Sequence, residues 1–313
     1  MLHLGNQGIA WNAGMSFRNS FHPYALVTIV FWSLAYVLTR LALQHFSIFS
    51  LGFIRYVIAV CILAVIAYFI KIKLPSKNDI PVFILSGCFG FFIYMIVFNA
   101  GQAVVSSATG SVIISTVPVI TALFACFMYN EKLKLFQWIA IFVEFIGVAV
   151  ISLMDNALSL NPGVVWLLLA AVSLSLYNIL QRRLTKTYTA LETTTYSILS
   201  GTILLAVFAP AAMREISHAP VVQYVYIAVL GIGSSAIAYL AWAKAFSKAR
   251  HTAQVSNYMF LTPFLASIFG FILAGEIPDS VTLIGGGIII SGMVIFNFGE
   301  HFYRLLLRMK LNF

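Results

Sequence analysis

Ten long apolar runs dominate the chain, near residues 24–44, 48–70, 80–98, 103–129, 134–153, 163–181, 190–213, 220–245, 252–274 and 279–299. A helix needs about 20 apolar residues to cross the hydrocarbon of a bilayer. Inside lipid the backbone must satisfy its own hydrogen bonds, which leaves only helices and closed barrels. The runs are continuously apolar and do not alternate, so a barrel is excluded and an all-α polytopic membrane protein is implied. Composition agrees: 61% of the 313 residues are hydrophobic and 9% charged, too few charges to cover a water-soluble surface. Ten spans use roughly 200 residues and leave no room for an extramembrane domain. The first 20 residues are polar and carry no cleavage pattern, so the first helix is expected to stay in the membrane. Cys61, Cys88 and Cys126 all sit within apolar runs and read as small core residues without a disulfide or metal role.

Orientation follows from the basic residues. When the connections are assigned alternately to two sides, all but Arg40, Arg55 and Arg214 of the 18 lysines and arginines fall on one side. The rich side, with both termini, is expected in the cytoplasm of a plasma (bacterial-type inner) membrane. The net charge of +9 is thus a topology signal. No basic face with interleaved aromatics exists for nucleic acid.

The chain also repeats itself. At an offset of 145, Tyr94 aligns with Tyr239, Ala108 with Ala253, Pro118 with Pro263, Glu131 with Glu276 and Gly147 with Gly292, without a gap. At an offset of 142, Ser33-Leu34 lies over Ser175-Leu176 and Arg40 over Arg182. This predicts a short tail over 1–21, one five-helix repeat over 22–155, a second over 156–300, and a tail over 301–313. Five is odd, so the second repeat enters the membrane from the opposite side. Inverted repeats can exchange conformations about a central site, which is the architecture of a secondary transporter.

The paired tails, Ala108 to Gly147 with Pro118 and Glu131, and Ala253 to Gly292 with Pro263 and Glu276, resemble EamA domains of the drug/metabolite transporter superfamily. Arg55 and the stretch Ala238 to Ala245 add to that resemblance, which covers Tyr24 to Asn297. It implies ten helices in two inverted bundles, a cavity lined by helices one to four and six to nine, and export or exchange of small metabolites, often amino acids.

Several side chains could carry function. Pro118 and Pro263 interrupt their spans and free the carbonyls of Ile114 and Met259, as a hinge and cavity acceptor or as a packed kink. Glu131 and Glu276 stand where new helices begin and read as structural helix-end carboxylates. Glu144 lies mid-span, either as a proton site or as a neutral packing residue, and its repeat mate is Ile289. Arg55, about 12 Å into the second helix, suits a substrate carboxylate or neighbouring backbone carbonyls equally. Trp32, Tyr36, Tyr94, Asn99, Tyr177, Asn178, Tyr239, Trp242, Asn257 and Tyr258 form a polar-aromatic set fit for an amphipathic organic solute. Interfacial belts and helix-helix hydrogen bonds are the competing use.

Gly231 to Ala236 fits a dinucleotide fingerprint in form only, because no strand precedes it. Gly285-Gly286-Gly287 with Ser291 and Gly292 forms a small-residue face for packing within the monomer or against a second copy. The chain has no Gly-Lys dipeptide, hence no Walker A motif to power a pump. The six histidines avoid metal-pair spacing, which argues against an intramembrane enzyme. No cofactor or metal is expected. The expectation is a secondary carrier, most simply an amino-acid or related metabolite exporter. The alternative is uptake or exchange of a nucleotide-derived or sugar-linked solute.

Overall fold

A computed structural model describes residues 20–129, 133–153, 161–249, 255 and 257–310, and among these it contains no strand. Ten helical segments follow one another. They are α1 (His22–Ala42), α2 (Ile48–Ile70), α3 (Ile80–Gln102), α4 (Ser107–Met128), α5 (Leu135–Leu153), α6 (Pro162–Leu184), α7 (Ala190–Ser217), α8 (Val221–Lys248), α9 (Leu261–Ala274) and α10 (Ser280–Lys310). Seven of them, α1 to α4 and α6 to α8, are long and apolar enough to cross a membrane. Shorter apolar stretches lie in the other three, over Leu135–Val150, Leu261–Ala274 and Ser280–Phe296.

Local chemistry sets the helix ends. The Ser47 hydroxyl caps α2 by accepting from the Ser50 amide at 3.2 Å, which satisfies one of the orphan donors of a first turn. Asn161 does the same for α6 through Gly163, with Pro162 in the first turn. Thr189 and Glu192 form a reciprocal capping box at the start of α7. At its other end α2 stops at Lys71, whose φ of 56° is left-handed.

Helix packing repeats when the halves are exchanged. α1 lies on α8 and α9, and α6 lies correspondingly on α3 and α4. α2 lies on α8 and α7, and α7 lies on α3 and α2. α5 and α10 pair with one another. Irregularities recur at the same aligned places. α3 is π-helical over Cys88–Ile93 and α8 over Val229–Ile237, segments that overlap at the offset of 145. α4 breaks at Ser115–Thr116, and the aligned junction is where the 3₁₀ turn Asn257–Phe260 meets α9. Pro118 therefore sits in the first turn of the piece Val117–Tyr129, where a missing amide is tolerated.

Two side-chain contacts also come in matched pairs. Ser33 of α1 donates to the Thr262 carbonyl at 3.4 Å, and Ser175 of α6 donates to the Val117 carbonyl at 3.1 Å, each carbonyl preceding a proline. A Cβ added at Gly147 would meet Ile289 Cγ1 at 2.6 Å, and one at Gly292 would meet Glu144 Cγ at 2.7 Å. Only glycine lets α5 and α10 approach this closely at both crossings.

The outer surface is apolar. Phe142, Phe145, Phe271, Ile272 and Leu283 are each more than half exposed, whereas many serines and threonines are buried. Such a surface is stable only in lipid, and the chain is an integral membrane protein. Tyr56, Phe91, Tyr177 and Trp242 are buried to within 1% and form the centre of the main core.

Candidate central solute site

At that centre a small cavity is lined by Trp32, Ala35 and Tyr36 of α1, Arg55 of α2, Tyr94 and Phe98 of α3, Ile114 of α4, Leu174 of α6 and Tyr239 of α8. Met259 and Thr262, at the start of α9, complete it. Its volume is about 20 Å³, room for roughly one water molecule. An organic solute fits only after the surrounding helices part.

Arg55 is the charged group of the cavity and is 3% exposed. Its Nε donates to Ser235 Oγ at 2.6 Å, and its guanidinium lies 5.9 Å from the Tyr56 ring centroid. Among the described residues no carboxylate pairs with it. A buried cation without a counter-ion is held at a large desolvation penalty, and in membrane interiors such groups mark ion or substrate paths.

Aromatic rings enclose this charge. Trp32 packs against Tyr239 at 5.1 Å and Trp242 at 5.0 Å between ring centroids. Tyr94 stacks on Phe98, whose ring meets Tyr36 edge-on at 5.4 Å. Phe91 joins Tyr56, Tyr177 and Tyr239. The Tyr177 hydroxyl and the indole nitrogen of Trp242 are buried with no hydrogen-bond partner among the described residues, so the region holds spare donors. The π-helical segments place some of these groups. Extra residues in the turn shift the phase of α3 and α8, as such bulges often do beside functional sites. Gly90, inside the α3 bulge, lies beneath Tyr177, whose Cδ2 would be 2.3 Å from an added Cβ.

Of the residues singled out from sequence, Trp32, Tyr36, Arg55, Tyr94 and Tyr239 line the cavity. Tyr177 and Trp242 pack one layer behind it through the contacts just given. Asn99 is buried elsewhere, donating to the Ile48 carbonyl at 2.8 Å. Asn178 is buried, and its Oδ1 has no hydrogen-bond partner among the described residues. Tyr258 bonds with His22 at the edge of the bundle. Glu131 and the Asn257 side chain lie outside the described residues. Glu144 is buried between α5 and α10, away from the cavity, and neither carboxyl oxygen has a hydrogen-bond partner among the described residues. Sequence reasoning missed Ala35, Phe98, Leu174, Thr262 and the Arg55 partner Ser235. Ile114 and Met259 were marked only through their carbonyls, as residues four before the prolines.

Glu276 fastens one end of the bundle. Its Oε1 lies 2.6 Å from Arg40 Nη1 and accepts from Ser107 Oγ at 3.2 Å, while Oε2 accepts from the Ser107 amide at 2.9 Å. The carboxylate thus serves the first turn of α4 and the last turn of α1. The start of its own following helix is capped by Asp279, which accepts from the Thr282 amide.

A helical bundle with an apolar outer surface and a closed polar-aromatic centre defines a polytopic membrane protein. Residues 20–153 and again 161–298 match the EamA-like transporter family, and the chain belongs to it. It is 30% identical over 265 residues to the uncharacterized transporter YdfC of Bacillus subtilis, covering 84% of this chain and 86% of that one. A probable terminal-alkyne amino-acid exporter of Streptantibioticus cattleyicolor is 28% identical, with 88% and 92% covered. An S-adenosylmethionine uptake transporter of Rickettsia prowazekii is 26% identical, with 88% and 91% covered. A solved crystal structure shares the fold with a TM-score of 0.61 at 18% identity, over 89% of this chain and 97% of that one. The chain is a small-molecule transporter and not an enzyme.

Proposed function

We propose that this transporter exports a small amphipathic metabolite bearing a carboxylate, an amino acid or close relative, by alternating access. The substrate would sit in the central cavity with its carboxylate on Arg55 and its body among Trp32, Tyr36, Tyr94 and Tyr239. The observation that carries this reading is Arg55 itself, a buried cation with no counter-ion among the described residues, facing aromatic walls. A bidentate carboxylate matches the guanidinium fork. The name of the Streptantibioticus relative, an amino-acid exporter, points the same way.

The machine in this reading is ten transmembrane helices in two inverted five-helix repeats, 22–155 and 156–300. Both termini are cytoplasmic in a bacterial-type plasma membrane. Support comes from the helix contacts that return when the halves are exchanged and from the two family matches. The seven long spans and three shorter apolar helices together number ten. Prolines 118 and 263, each beside a break in its segment, would be the hinges. The second reading is uptake or exchange of a nucleotide-derived solute, favoured by the names of the Rickettsia relatives.

Counterflow into liposomes loaded with unlabelled amino acids or nucleosides, with and without a pH gradient, decides between them. Arg55-dependent accumulation of a labelled amino acid is expected. Accumulation of nucleosides alone would replace the first reading with the second. Inversion is tested by single-cysteine labelling at positions 132 and 279, which should be reached from opposite sides.

A further inference from the structure

A second cavity is far larger than the central one. A cleft of about 700 Å³ opens between α1, α2, α7 and α8 at the lysine-rich end of the bundle, within the range of about 300–1,000 Å³ typical of ligand sites. We propose that it is a binding site for one anionic membrane phospholipid, with an acyl chain in the cleft and the phosphate on Lys71, Lys73 and Lys244.

The cleft is separate from the substrate cavity. Ile237, Leu240, Ala241 and Lys244 share one face of α8 at helical spacing and line it, whereas Tyr239 on the same helix lines the central cavity. Ile66 and Ile70 of α2 form the opposite wall. Ile70 is 64% exposed and Ile237 is 42% exposed, so the cleft opens sideways toward hydrocarbon. An apolar slot reached from the lipid side takes an acyl chain and not a hydrated solute.

The mouth is positive and built. The left-handed turn at Lys71 folds the chain after α2 back across the opening. Two bonds from α7 then hold the backbone of Lys73: its amide donates to Glu192 Oε1 at 3.0 Å, and its carbonyl accepts from Tyr196 Oη at 2.8 Å. Glu192 is the one carboxylate of the lining, and its oxygens already accept from Lys73 and from the Thr189 amide and hydroxyl. Lys71, Lys73 and Lys244 are exposed at the rim; Glu192 feels the Lys73 charge, but among the described residues no carboxylate lies within 4.0 Å of any of the three ammonium groups. Basic pockets between transmembrane helices at this membrane face select anionic headgroups.

The test is native mass spectrometry of the whole protein released from nanodiscs of mixed phosphatidylglycerol and phosphatidylcholine. One retained phosphatidylglycerol is expected. The triple variant K71Q/K73Q/K244Q should retain it about a hundredfold more weakly, while K77Q/K186Q, with charges removed outside the lining, should retain it as the native chain does. Ala241→Trp fills the slot with every lysine in place and should also expel the lipid, which keeps the test informative if the triple variant folds poorly. Equal retention of phosphatidylcholine, or unchanged retention in both cleft variants, overturns the proposal. Displacement by glycerol phosphate as effectively as by whole lipid overturns it too, by reducing the site to a headgroup anion site. None of these readouts involves transport, so the proposal stands or falls apart from the substrate assignment.

Discussion

The Arg40–Glu276–Ser107 clasp makes a quantitative test of alternating access. It joins α1, α4 and the loop before α10 at the end of the bundle opposite the lysine-rich one, so it can persist only while that end is shut. The pair is partly exposed, 33% for the Arg40 side chain and 16% for Glu276, and exposed pairs contribute only about 0.2–1 kcal/mol. The larger share comes from the Ser107 amide and hydroxyl, since a hydrogen bond to a charged acceptor is worth about 1.5–3 kcal/mol. Glu276→Gln removes the charge and one of the two acceptor oxygens, a loss of about 2 kcal/mol. If that loss falls only on the state closed at this end, the open state gains about thirtyfold in population. The assay uses Thr262→Cys in the cavity wall, with Cys61, Cys88 and Cys126 replaced by serine. A membrane-impermeant thiol reagent is applied to the outside of intact cells. Glu276→Gln should raise the alkylation rate by up to about thirtyfold, Arg40→Gln should raise it in the same direction, and the double variant should add little beyond either. An unchanged rate together with a lower Tm would show that the clasp is only a structural tie and would refute the gate.

Arg55→Gln should weaken counterflow of a carboxylate solute by about 30- to 100-fold through loss of a charged hydrogen-bonded pair, and leave any transport of the corresponding amide unaffected. An equal loss for both would move Arg55 from substrate contact to scaffold. Glu144→Ile installs the residue of the other half and removes two unpartnered carboxyl oxygens, so Tm should rise by the equivalent of about 1–3 kcal/mol with counterflow retained. Loss of pH-driven flux in both Glu144→Ile and Glu144→Gln would instead make Glu144 a proton site. Gly90→Ala forces a methyl against Tyr177 and should lower thermal stability by about 1–3 kcal/mol. At the loop before α3, hydrogen bonds from Tyr188 and Ser76 hold the Asp79 carboxyl below the usual carboxylate range. Its stabilisation is therefore complete above the unfolded pKa near 3.9 and is lost as pH falls through the lower folded value. Asp79→Asn should flatten the acid limb of the Tm profile, and an unchanged limb would show that the bonds are not formed in the membrane.

Hydropathy makes the helices legible because lipid forces every spanning segment to close its own hydrogen bonds: seven of the apolar runs fall on helices long and apolar enough to cross a membrane, and the other three on shorter apolar helices. Boundaries are less legible. Sequence places the last run near 279–299, whereas α10 continues to Lys310, since nothing in 300–310 breaks a helix. The π-helical segments left no readable mark. Gly90 and the run Gly231 to Ala236 look like ordinary close-packing glycines, and the bulges depend on what α6, α7 and α2 press against them. The cavity was legible where it is polar, as at Arg55 and Tyr239, and not where it is apolar. Phe98 and Leu174 differ from their lipid-facing neighbours only in which way they point.

The repeat explains why the site could be read in part. Several aligned positions carry the frame: Ser33 with Ser175, Gly147 with Gly292, the two prolines, and the paired wall residues Tyr94 with Tyr239 and Ile114 with Met259. Positions where the halves disagree hold the distinctive chemistry. Arg55 aligns with Ser197, which bonds Ser86 at 2.9 Å, while its own partner Ser235 aligns with Gly90. The same helix crossing is thus a cation held by a hydroxyl in one half and a neutral serine pair beside a glycine in the other. Two equal halves can trade shapes with little change in packing energy, but a solute bound by a single off-axis arginine keeps one orientation through the exchange. Moving the charge tests that argument directly. Arg55→Ser with Ser197→Arg should not restore carboxylate affinity, because the aligned Gly90 has no hydroxyl to hold the new guanidinium and Tyr177 leaves no room for one. Recovery in that double variant would mean that the field of the cavity, and not the crossing at α2 and α8, selects the substrate.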